Sequence, residues 1–309
     1  MTVLITGANR SLGLGIVKLF AKNSYSSDII LTSRSLENGQ KCIDSLQKEF
    51  PDAKFRVCQL DLQDNKSIDD LVEFVRTNFE KIDILINNAG FCAGESNVLN
   101  NQKTLSTNFF QTVELTEKML PFINKAIITV GSGLGLYALS DCDKNIQKQV
   151  LNQTLTSEEL VDMAKVYSEK IIAANDYKNS KFMNLRFGKE YDVKEDIRSS
   201  YPHVEQIKFP ATVVVYAMSK FFIHAMTEIW ARKNDRIKFF CGCPGWVATN
   251  LAGQNSDEAI KYGALTPERG GSVFHWLATN PNDLKSGSFY FKGSELVTGW
   301  GLKSSKVEL

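Results

Sequence analysis

A tyrosine and a lysine four residues apart, Tyr216 and Lys220, are the side chains in this sequence best suited to moving a proton. On a helix this spacing places both on one face. A phenol has a pKa of about 10 and is a poor acid at neutral pH. A fixed ammonium group nearby favours the phenolate and makes the phenol a better proton donor. We therefore expect the pair to deliver a proton to an oxygen atom while another group delivers a hydride.

A glycine-rich loop at the start of the chain would hold the hydride donor. It reads Thr6-Gly-Ala-Asn-Arg-Ser-Leu-Gly-Leu-Gly15 and lies between a predicted strand and a predicted helix. Glycines let the backbone turn sharply and let a pyrophosphate approach the helix N-terminus, where free N–H groups and the helix dipole favour anions. The loop therefore predicts dinucleotide binding.

The charges near this loop indicate which dinucleotide is bound. A cofactor without a 2′-phosphate is typically held by an acidic residue at the end of the second strand. Here that end reads Leu31-Thr-Ser-Arg34, and the first acid after it is Glu37. Arg34 and Arg10 can both reach a 2′-phosphate, which a guanidinium group binds in a bidentate manner. We predict NADP, with Asp61 accepting from the adenine amino group.

Composition excludes several other classes of protein. The 309 residues carry 36 basic and 35 acidic side chains, so bulk charge favours neither a nucleic acid nor an anionic membrane as partner. Six cysteines and three histidines form neither a disulfide framework nor a metal site. No apolar run approaches the roughly 20 residues that span a bilayer, and the first strand leaves no room for a signal peptide. We expect a cytoplasmic protein.

Short β-rich runs alternate with amphipathic helical segments along most of the chain. Predicted strands cover residues 2–6, 28–33, 54–60, 83–86, 126–130, 236–243 and 288–291. Predicted helices cover residues 11–22, 36–50, 65–79, 103–120, 156–173, 211–233 and 267–279. This alternation indicates βαβ crossovers, and we predict an α/β fold with a doubly wound, mostly parallel, seven-stranded sheet of the Rossmann type.

The alternation is interrupted at about residues 136–210. Thr156-Ser-Glu-Glu159 is a capping box that begins a helix there, and a polar, lysine-rich stretch follows at 175–208. Its periodic apolar residues are too few for a separate core, so we predict a single domain over 1–309 with an insertion before the tyrosine helix. Tyr177 and Lys181 are also four apart, but they lie in this polar stretch, and we discard them as the site.

An ordered set of short motifs resembles the short-chain dehydrogenase/reductase family. The matching residues are Thr6-Gly7 with Gly13, Asn87-Asn-Ala-Gly90, Asn108, Ser132, Tyr216 with Lys220, and Pro244-Gly245. Within the family the chain looks most like the monomeric NADPH-dependent carbonyl reductases. The segments that carry this closer likeness are Leu31-Thr-Ser-Arg34, Leu155-Thr-Ser-Glu-Glu-Leu160, Cys243-Pro-Gly-Trp-Val247 and Leu265-Thr-Pro-Glu-Arg269.

The resemblance implies a role for each of four catalytic residues. Tyr216 would protonate the carbonyl oxygen, and Lys220 would lower the pKa of Tyr216 and hydrogen-bond the nicotinamide ribose. Ser132 would polarise the substrate carbonyl, and Asn108 would hold a water that feeds protons to Lys220.

The resemblance also implies contacts around the cleft. The expected cofactor-binding residues are Gly7, Asn9, Arg10, Ser11, Leu12, Gly13, Arg34, Asp61, Leu62, Asn87, Ala89, Gly90, Tyr216, Lys220, Pro244, Gly245, Val247 and Thr249. Substrate is expected to contact Ser132, Tyr216 and Trp246, although Trp246 also suits core packing. Further candidates for the substrate side are Phe91, Cys92 and Tyr137, and Cys243 is expected to be buried and inert.

Two features depart from the family pattern. The middle glycine of the loop is replaced by Ser11, which we expect to adopt ordinary backbone angles and to leave binding intact. The separation of 84 residues between Ser132 and Tyr216 is longer than in typical members. The tyrosine helix forms a subunit interface in oligomeric relatives, and an insertion just before it would cover that face. We therefore predict a monomer.

The sequence thus predicts NADPH-dependent reduction of a small ketone or aldehyde, with Tyr216 as proton donor. Two alternatives stay open. An NADP-linked alcohol dehydrogenase would use the same residues in the direction of oxidation, and a regulatory protein could sense NADP without turnover. The intact set of Asn108, Ser132, Tyr216 and Lys220 argues against the second alternative.

Overall fold

The structure, a computed structural model, describes residues 1–23, 28–95, 97–141, 144–173, 211–251, 256–291 and 295–297. Its strands are β1 (Thr2–Ile5), β2 (Asp28–Ser33), β3 (Phe55–Gln59), β4 (Ile82–Asn87), β5 (Ile123–Val130), β6 (Lys238–Cys243), β7 (Phe289–Phe291) and β8 (Glu295–Val297). Its helices are α1 (Ser11–Lys22), α2 (Leu36–Glu49), α3 (Asn65–Asn78), α4 (Val98–Leu105), α5 (Gln111–Met119), α6 (Gly133–Asp141), α7 (Lys144–Val150), α8 (Ser157–Ala173), α9 (Ala211–Lys233), α10 (Ser256–Lys261) and α11 (Pro267–Thr279).

The strands form one sheet in the order β3-β2-β1-β4-β5-β6-β7-β8. β1 to β7 pair in parallel, as the sequence predicted, and β8 adds a short antiparallel strand at one edge. The strand order reverses direction between β1 and β4. In doubly wound sheets, ligands bind in the crevice at the carboxyl ends of the strands on either side of such a reversal.

The central strands are buried on both faces, which explains their continuous apolar sequences. On one face Leu4 and Leu85 pack with α9 and α3, while on the other Ile5 and Ile86 pack with α1 and α11. All four of these side chains have an exposed fraction of 0%. The sheet is therefore covered by helices on both sides, and the predicted fold class is confirmed.

The predicted helix at 103–120 differs from the helix observed. Helical structure begins at Val98, changes to a π-helical turn at Ser106–Phe110, and continues as α5. The Thr112 hydroxyl, at the start of α5, donates at 2.9 Å to the carbonyl of Thr107 in this turn. π-helical turns are rare and occur most often at functional sites, and the candidate residue Asn108 lies in the middle of this one.

The described part of the predicted insertion packs on the main core. The capping box at its centre is formed as predicted, since the Thr156 hydroxyl accepts from Glu159 N and the Glu159 carboxylate accepts from Thr156 N. Leu160 and Ala164 of α8 are fully buried against the cluster that contains α9. The polar stretch at 175–208, with Tyr177 and Lys181, lies outside the described residues.

Of the helices in the described part of the chain, none combines the length and the apolar content that a bilayer span needs.

Candidate active site

Tyr216, Lys220 and Ser132 meet at the carboxyl ends of β5 and β6. α9 presents Tyr216 and Lys220 one turn apart, and Ser132 follows β5 directly. The hydroxyl groups of Tyr216 and Ser132 are hydrogen-bonded to each other. The ammonium of Lys220 lies 5.5 Å from the centre of the Tyr216 ring. The sequence therefore placed these three side chains together correctly.

Burial dominates the acidity of Tyr216. Loss of solvent raises the pKa of its phenol, the nearby thiols Cys92 and Cys243 raise it further, and the hydrogen bond from Ser132 opposes them. The expected lowering of this pKa is therefore not observed. A raised pKa keeps the phenol protonated across the neutral range, which is the state that a proton donor must have before the reaction.

Lys220 is an almost fully buried lysine with an exposed fraction of 5%. Burial lowers the pKa of its ammonium to about 8. Its Nζ donates to the carbonyl oxygen of Val130 at 2.7 Å, at the end of β5. This hydrogen bond fixes the side chain beside Tyr216 and offsets part of the cost of burying the charge.

Asn108 ties the loop after β4 to α9. Its Oδ1 accepts from Phe91 N at 2.7 Å, and its Nδ2 donates to Phe91 O at 2.8 Å and to the Ser219 hydroxyl at 3.0 Å. Ser219 directly precedes Lys220, so this amide holds the lysine's helix against the loop. Both amide hydrogens are used by protein groups, which leaves one lone pair of Oδ1 for a further donor.

The glycine-rich loop is locked onto the end of β4. The Thr6 hydroxyl accepts from Asn88 N and from Ala89 N, both at 2.9 Å. The Asn88 side chain donates to Thr6 O at 2.7 Å and to Gly7 O at 3.1 Å. A Cβ at Gly13 would lie 2.6 Å from Asn88 Nδ2, so glycine is required there for this packing.

Ser11 differs from the expectation of ordinary backbone angles. Its φ is +50°, in the left-handed region. A residue with a Cβ is less stable there by about 1–2 kcal/mol, which explains why a glycine is the usual residue.

The N-terminus of α1 is suited to an anion. Arg10, in the N-cap position, makes no side-chain cap, and the first turn contains no acid. In contrast, the side chains of Ser35, Asp64 and Thr266 cap α2, α3 and α11. The first N–H groups of a helix lack partners within the helix, so those of α1 are left to a ligand such as a pyrophosphate.

Two arginines flank this helix end. Arg10 and Arg34 are exposed, and within the described ranges neither guanidinium group forms an ion pair. Asp61 and Leu62 follow β3 on the same edge of the sheet, and the Asp61 carboxylate accepts from Gln63 N at 3.0 Å. The predicted nucleotide-binding residues Gly7, Asn9, Arg10, Ser11, Leu12, Gly13, Arg34, Asp61 and Leu62 thus all follow β1, β2 or β3.

The loop after β6 forms the other side of the crevice. Val247 pairs with Leu265 in a short parallel bridge, and its side chain occupies the space that a Cβ on Gly270 would need. Gly245 has a φ of +79°, which turns the chain towards this bridge. Trp246 packs against Ala259 and the neighbouring alanines of a small cluster, which agrees with the packing alternative for this side chain.

Asn87 carries an unsatisfied acceptor beneath the crevice. Its Nδ2 donates to the Thr116 hydroxyl at 2.8 Å. Its Oδ1 is buried and has no hydrogen-bond partner among the residues that the structure describes. On the same loop, Ala89 is partly exposed and Gly90 is exposed. An unpaired buried acceptor is costly in a protein without a ligand, so a donor from a bound group would satisfy it.

The cysteines near the site are buried. Cys243 has an exposed fraction of 1%, and its sulfur accepts from Gly133 N at 3.4 Å and Gly245 N at 3.5 Å. Burial raises the pKa of Cys92 to about 11. None of the described cysteines 42, 58, 92, 241 and 243 forms a disulfide. Within the described ranges, no group of three or more histidine, cysteine or acidic side chains could hold a metal ion. The side chain of Tyr137 lies outside the described part.

Three residues that support the site were not predicted from the sequence. Asn88, Ser219 and His224 each make a hydrogen bond that fixes a candidate residue or its loop. Asn88 stands inside the quoted Asn-Asn-Ala-Gly motif, so a signal was present for it. Ser219 and His224 are ordinary helix residues in the sequence, and only the fold brings them to their partners.

The family follows from comparison with known proteins. Residues 1–142 match the family model for short chain dehydrogenases. Carbonyl reductase (NADPH) 1 of Homo sapiens is 31% identical over 303 residues, which cover 96% of this chain and 97% of the relative. The protein of the same name from Pongo abelii has the same identity and coverage. This chain belongs to the short-chain dehydrogenase family.

A solved structure of similar fold is that of salutaridine reductase from Papaver somniferum. It has a TM-score of 0.71 at 21% identity, and the alignment covers 94% of this chain and 99% of that one.

The buried ammonium of Lys220 should make the cofactor-free protein less stable. Its pKa is lowered from 10.5 to about 8. The unfolded chain therefore binds more protons than the folded chain between these two values, and stability must rise with pH across that window. Lys220→Met should raise the free energy of unfolding at pH 7 by on the order of 1–3 kcal/mol. The gain should shrink as the pH rises from about 8 towards 10.

Denaturant unfolding at pH 7 and at pH 9.5 measures both effects. Lys148→Met removes an exposed lysine of α7 and is the matched control, for which no comparable gain is expected. A Lys220→Met protein less stable than the parent at pH 7 would contradict the assignment of a costly buried charge.

Proposed function

We propose that this protein is an NADPH-dependent carbonyl reductase that converts a ketone or aldehyde to an alcohol. The observation that carries the proposal is the meeting of Tyr216, Ser132 and Lys220 at the crevice, with the two hydroxyl groups hydrogen-bonded and the ammonium buried beside them. The likeness over nearly the whole chain to proteins named carbonyl reductase (NADPH) supports the same activity.

The two hydroxyl groups act on the substrate oxygen. A carbonyl oxygen placed between Tyr216 and Ser132 receives two hydrogen bonds, which stabilise the negative charge that develops as the carbon accepts a hydride. Donors of this kind contribute roughly 3 kcal/mol each in comparable sites. Tyr216 then transfers its proton to the alkoxide, and the positive charge of Lys220 stabilises the phenolate that remains.

The cofactor supplies the hydride when it is bound, and the residues of the crevice fit NADPH. The uncapped N-terminus of α1 would hold the pyrophosphate, and Arg10 and Arg34 would hold the 2′-phosphate. Asp61 and Leu62 would contact the adenine. Near the nicotinamide end, Asn87, Ala89, Gly90, Pro244, Gly245, Val247 and Thr249 would line the site. The unsatisfied Oδ1 of Asn87 supports the presence of a bound donor there.

Asn108 has a positioning role in this scheme. Its amide holds Phe91 and Ser219 in place, so it keeps the helix of Lys220 against the loop after β4. The proposed water that feeds protons to Lys220 would bind the remaining lone pair of Oδ1 or a carbonyl of the π-helical turn.

The direction of the reaction follows from the cofactor. An alcohol dehydrogenase working towards oxidation would use the same residues, but the arginines select NADP, whose cellular pool is mostly reduced. A silent NADP sensor would not need a proton donor, a polarising hydroxyl and a buried ammonium at the same end of the sheet. Reduction is therefore the function that the site supports best.

The protein is further proposed to be a cytoplasmic monomer. Every residue of α9 from Val215 to Trp230 is buried except Tyr216 and Glu228, which are partly exposed. α8 covers part of this helix, and the Arg232 guanidinium donates to Leu155 O at 3.0 Å across the contact. Between Val215 and Trp230 this helix therefore offers no free face for a second copy. The free state of the described cysteines supports a reducing compartment.

Tyr216→Phe should abolish turnover and leave cofactor binding intact. The variant keeps the aromatic ring but lacks the proton, and loss of a general acid lowers the rate by about 100- to 10,000-fold. NADPH consumption with aromatic ketones, quinones and dicarbonyls measures kcat, and fluorescence titration measures the Kd of NADPH. Tyr167→Phe, on α8, is the matched control and should be fully active. Full activity of Tyr216→Phe would refute the mechanism.

Arg34→Ala and Arg10→Ala should each weaken NADPH binding about tenfold or more. A hydrogen bond to a charged group contributes roughly 1.5–3 kcal/mol, and NADH lacks the 2′-phosphate that these arginines would bind. The Kd of NADH should therefore change little. Arg76→Ala, an exposed arginine of α3, controls for a general charge effect. An equal loss for NADPH and NADH would argue against a 2′-phosphate site.

In solution the protein should have the mass of one chain, 34.6 kDa. Sedimentation equilibrium over a range of concentrations checks this, because a dimer that forms weakly would raise the average mass at high concentration. A stable dimer or tetramer would show that α8 leaves the family's usual interface available.

A further inference from the structure

His224 is a buried titratable residue for which the proposed mechanism gives no role. It lies one helical turn beyond Lys220 on α9, so Tyr216, Lys220 and His224 form one stripe at a spacing of four residues. Its exposed fraction is 3%. The stripe faces the turn between β5 and α6, where Ser132 lies, so His224 is next to the residues proposed to react.

The imidazole accepts a hydrogen bond from the backbone of Ser132. The peptide N–H of Ser132 donates to Nε2 of His224 at 3.2 Å, and the contact is fully buried. An Nε2 that accepts carries no proton, so the neutral ring has its hydrogen on Nδ1. Burial and the adjacent Lys220 charge lower the pKa of His224 to about 3, which keeps the ring neutral and able to accept at physiological pH.

Two glycines make room for the ring. A Cβ on Gly131 would lie 2.5 Å from Nε2 of His224, and a Cβ on Gly135 would lie 2.8 Å from its Cε1. The ring of Phe289 supports the imidazole from another side, with centroids 4.6 Å apart. Gly131 and Gly135 thus leave the space that the His224 ring occupies. The conformation of the turn alone would not explain a glycine at both positions.

Ser132 is held at two points by these contacts. Its backbone N–H is fixed by His224, and its Oγ accepts from Leu134 N at 3.2 Å. One lone pair and the hydroxyl hydrogen remain for Tyr216 and for a substrate oxygen. Removal of the acceptor at 224 would leave a buried N–H unpaired, and the turn would shift to satisfy it.

We propose that His224 is a positioning residue for the reaction: as a neutral acceptor it fixes the Ser132 peptide and so aims the Ser132 hydroxyl at the substrate oxygen. This inference rests on the proposed carbonyl reduction for its kinetic consequence. The hydrogen bond itself does not depend on that function and can be tested separately.

Two substitutions of His224, with side chains of equal length, distinguish loss of the hydrogen-bond acceptor from loss of the volume that the ring fills. His224→Gln keeps an oxygen near the position of Nε2, whereas His224→Met has a similar shape and no comparable acceptor. We expect kcat to fall about 10- to 100-fold in the methionine variant, less than the roughly 100- to 1,000-fold loss typical of a missing oxyanion donor. The glutamine variant should recover most of this loss, and the Kd of NADPH should stay within about twofold in both.

Each variant is also made in a Ser132→Ala background. If His224 acts through Ser132, His224→Met should lower kcat little further in the Ser132→Ala protein, which already lacks the Ser132 hydroxyl. His275→Met, on α11 against Phe20, is the control for removal of a buried histidine elsewhere, and it should leave kcat unchanged. Wild-type kcat in His224→Met, equal losses in both 224 variants, or additive losses in the Ser132→Ala background would each overturn the proposal.

Amide hydrogen exchange provides a readout without turnover. The peptide that covers residues 131–135 should exchange faster in His224→Met than in the parent or in His224→Gln, while β1 and β4 stay protected. Unchanged exchange at 131–135 in the methionine variant would overturn the inference even in an active enzyme. A parent protein that reduces no carbonyl compound, yet shows this exchange pattern, would instead refute the proposed function alone.

Discussion

The site depends on the close approach of α9 to the start of α6, which follows β5. A Cβ on Gly135 of α6 would lie 2.8 Å from the carbonyl carbon of Lys220 and 2.9 Å from the nitrogen of Phe221, so the two helices meet backbone to backbone. Only this approach lets Lys220 reach the carbonyl of Val130 and lets the Tyr216 hydroxyl meet Ser132. The spacing of Tyr216 and Lys220 along α9 determines the chemistry of this pair. Its position depends on the absence of a side chain at Gly135.

The same approach explains why the reactive groups are costly to hold. It removes solvent from Lys220 and His224 and leaves Tyr216 only partly exposed, and burial is the largest cause of the pKa shift of each. The neutral forms of all three are favoured: a phenol that keeps its proton, an ammonium close to losing one, and an imidazole whose unprotonated Nε2 accepts a hydrogen bond. Burial of these polar groups lowers the stability of the fold, as is common at functional sites. The large apolar core on both faces of the sheet compensates for this loss.

Local signals in the sequence were sufficient to predict the seven parallel strands, most of the boundaries of the predicted helices and the capping box at Thr156. Each depends on residues that are near one another in the chain. We predicted ordinary backbone angles for Ser11, and this was wrong, since the φ of a single residue leaves no signal in the periodicity of the sequence. The π-helical turn around Asn108 was also missed, since the partners of that amide, Phe91 and Ser219, are up to 111 residues away in the chain. Contacts between distant segments were the part that periodicity could not reveal.

One such contact joins the two ends of the cofactor crevice. A Cβ on Gly15 of α1 would lie 2.4 Å from the backbone of Pro267, and one on Gly271 would lie 3.1 Å from Ile16, so α1 and α11 touch with almost no side chain between them. α11 in turn packs through Gly270 on Val247, in the loop expected to meet the nicotinamide. The helix that would bind the pyrophosphate and the loop that would bind the reactive ring are therefore parts of one rigid unit. Such packing fixes the distance between the two ends, and a dinucleotide that bridges the pyrophosphate site and the loop after β6 would have to match that distance.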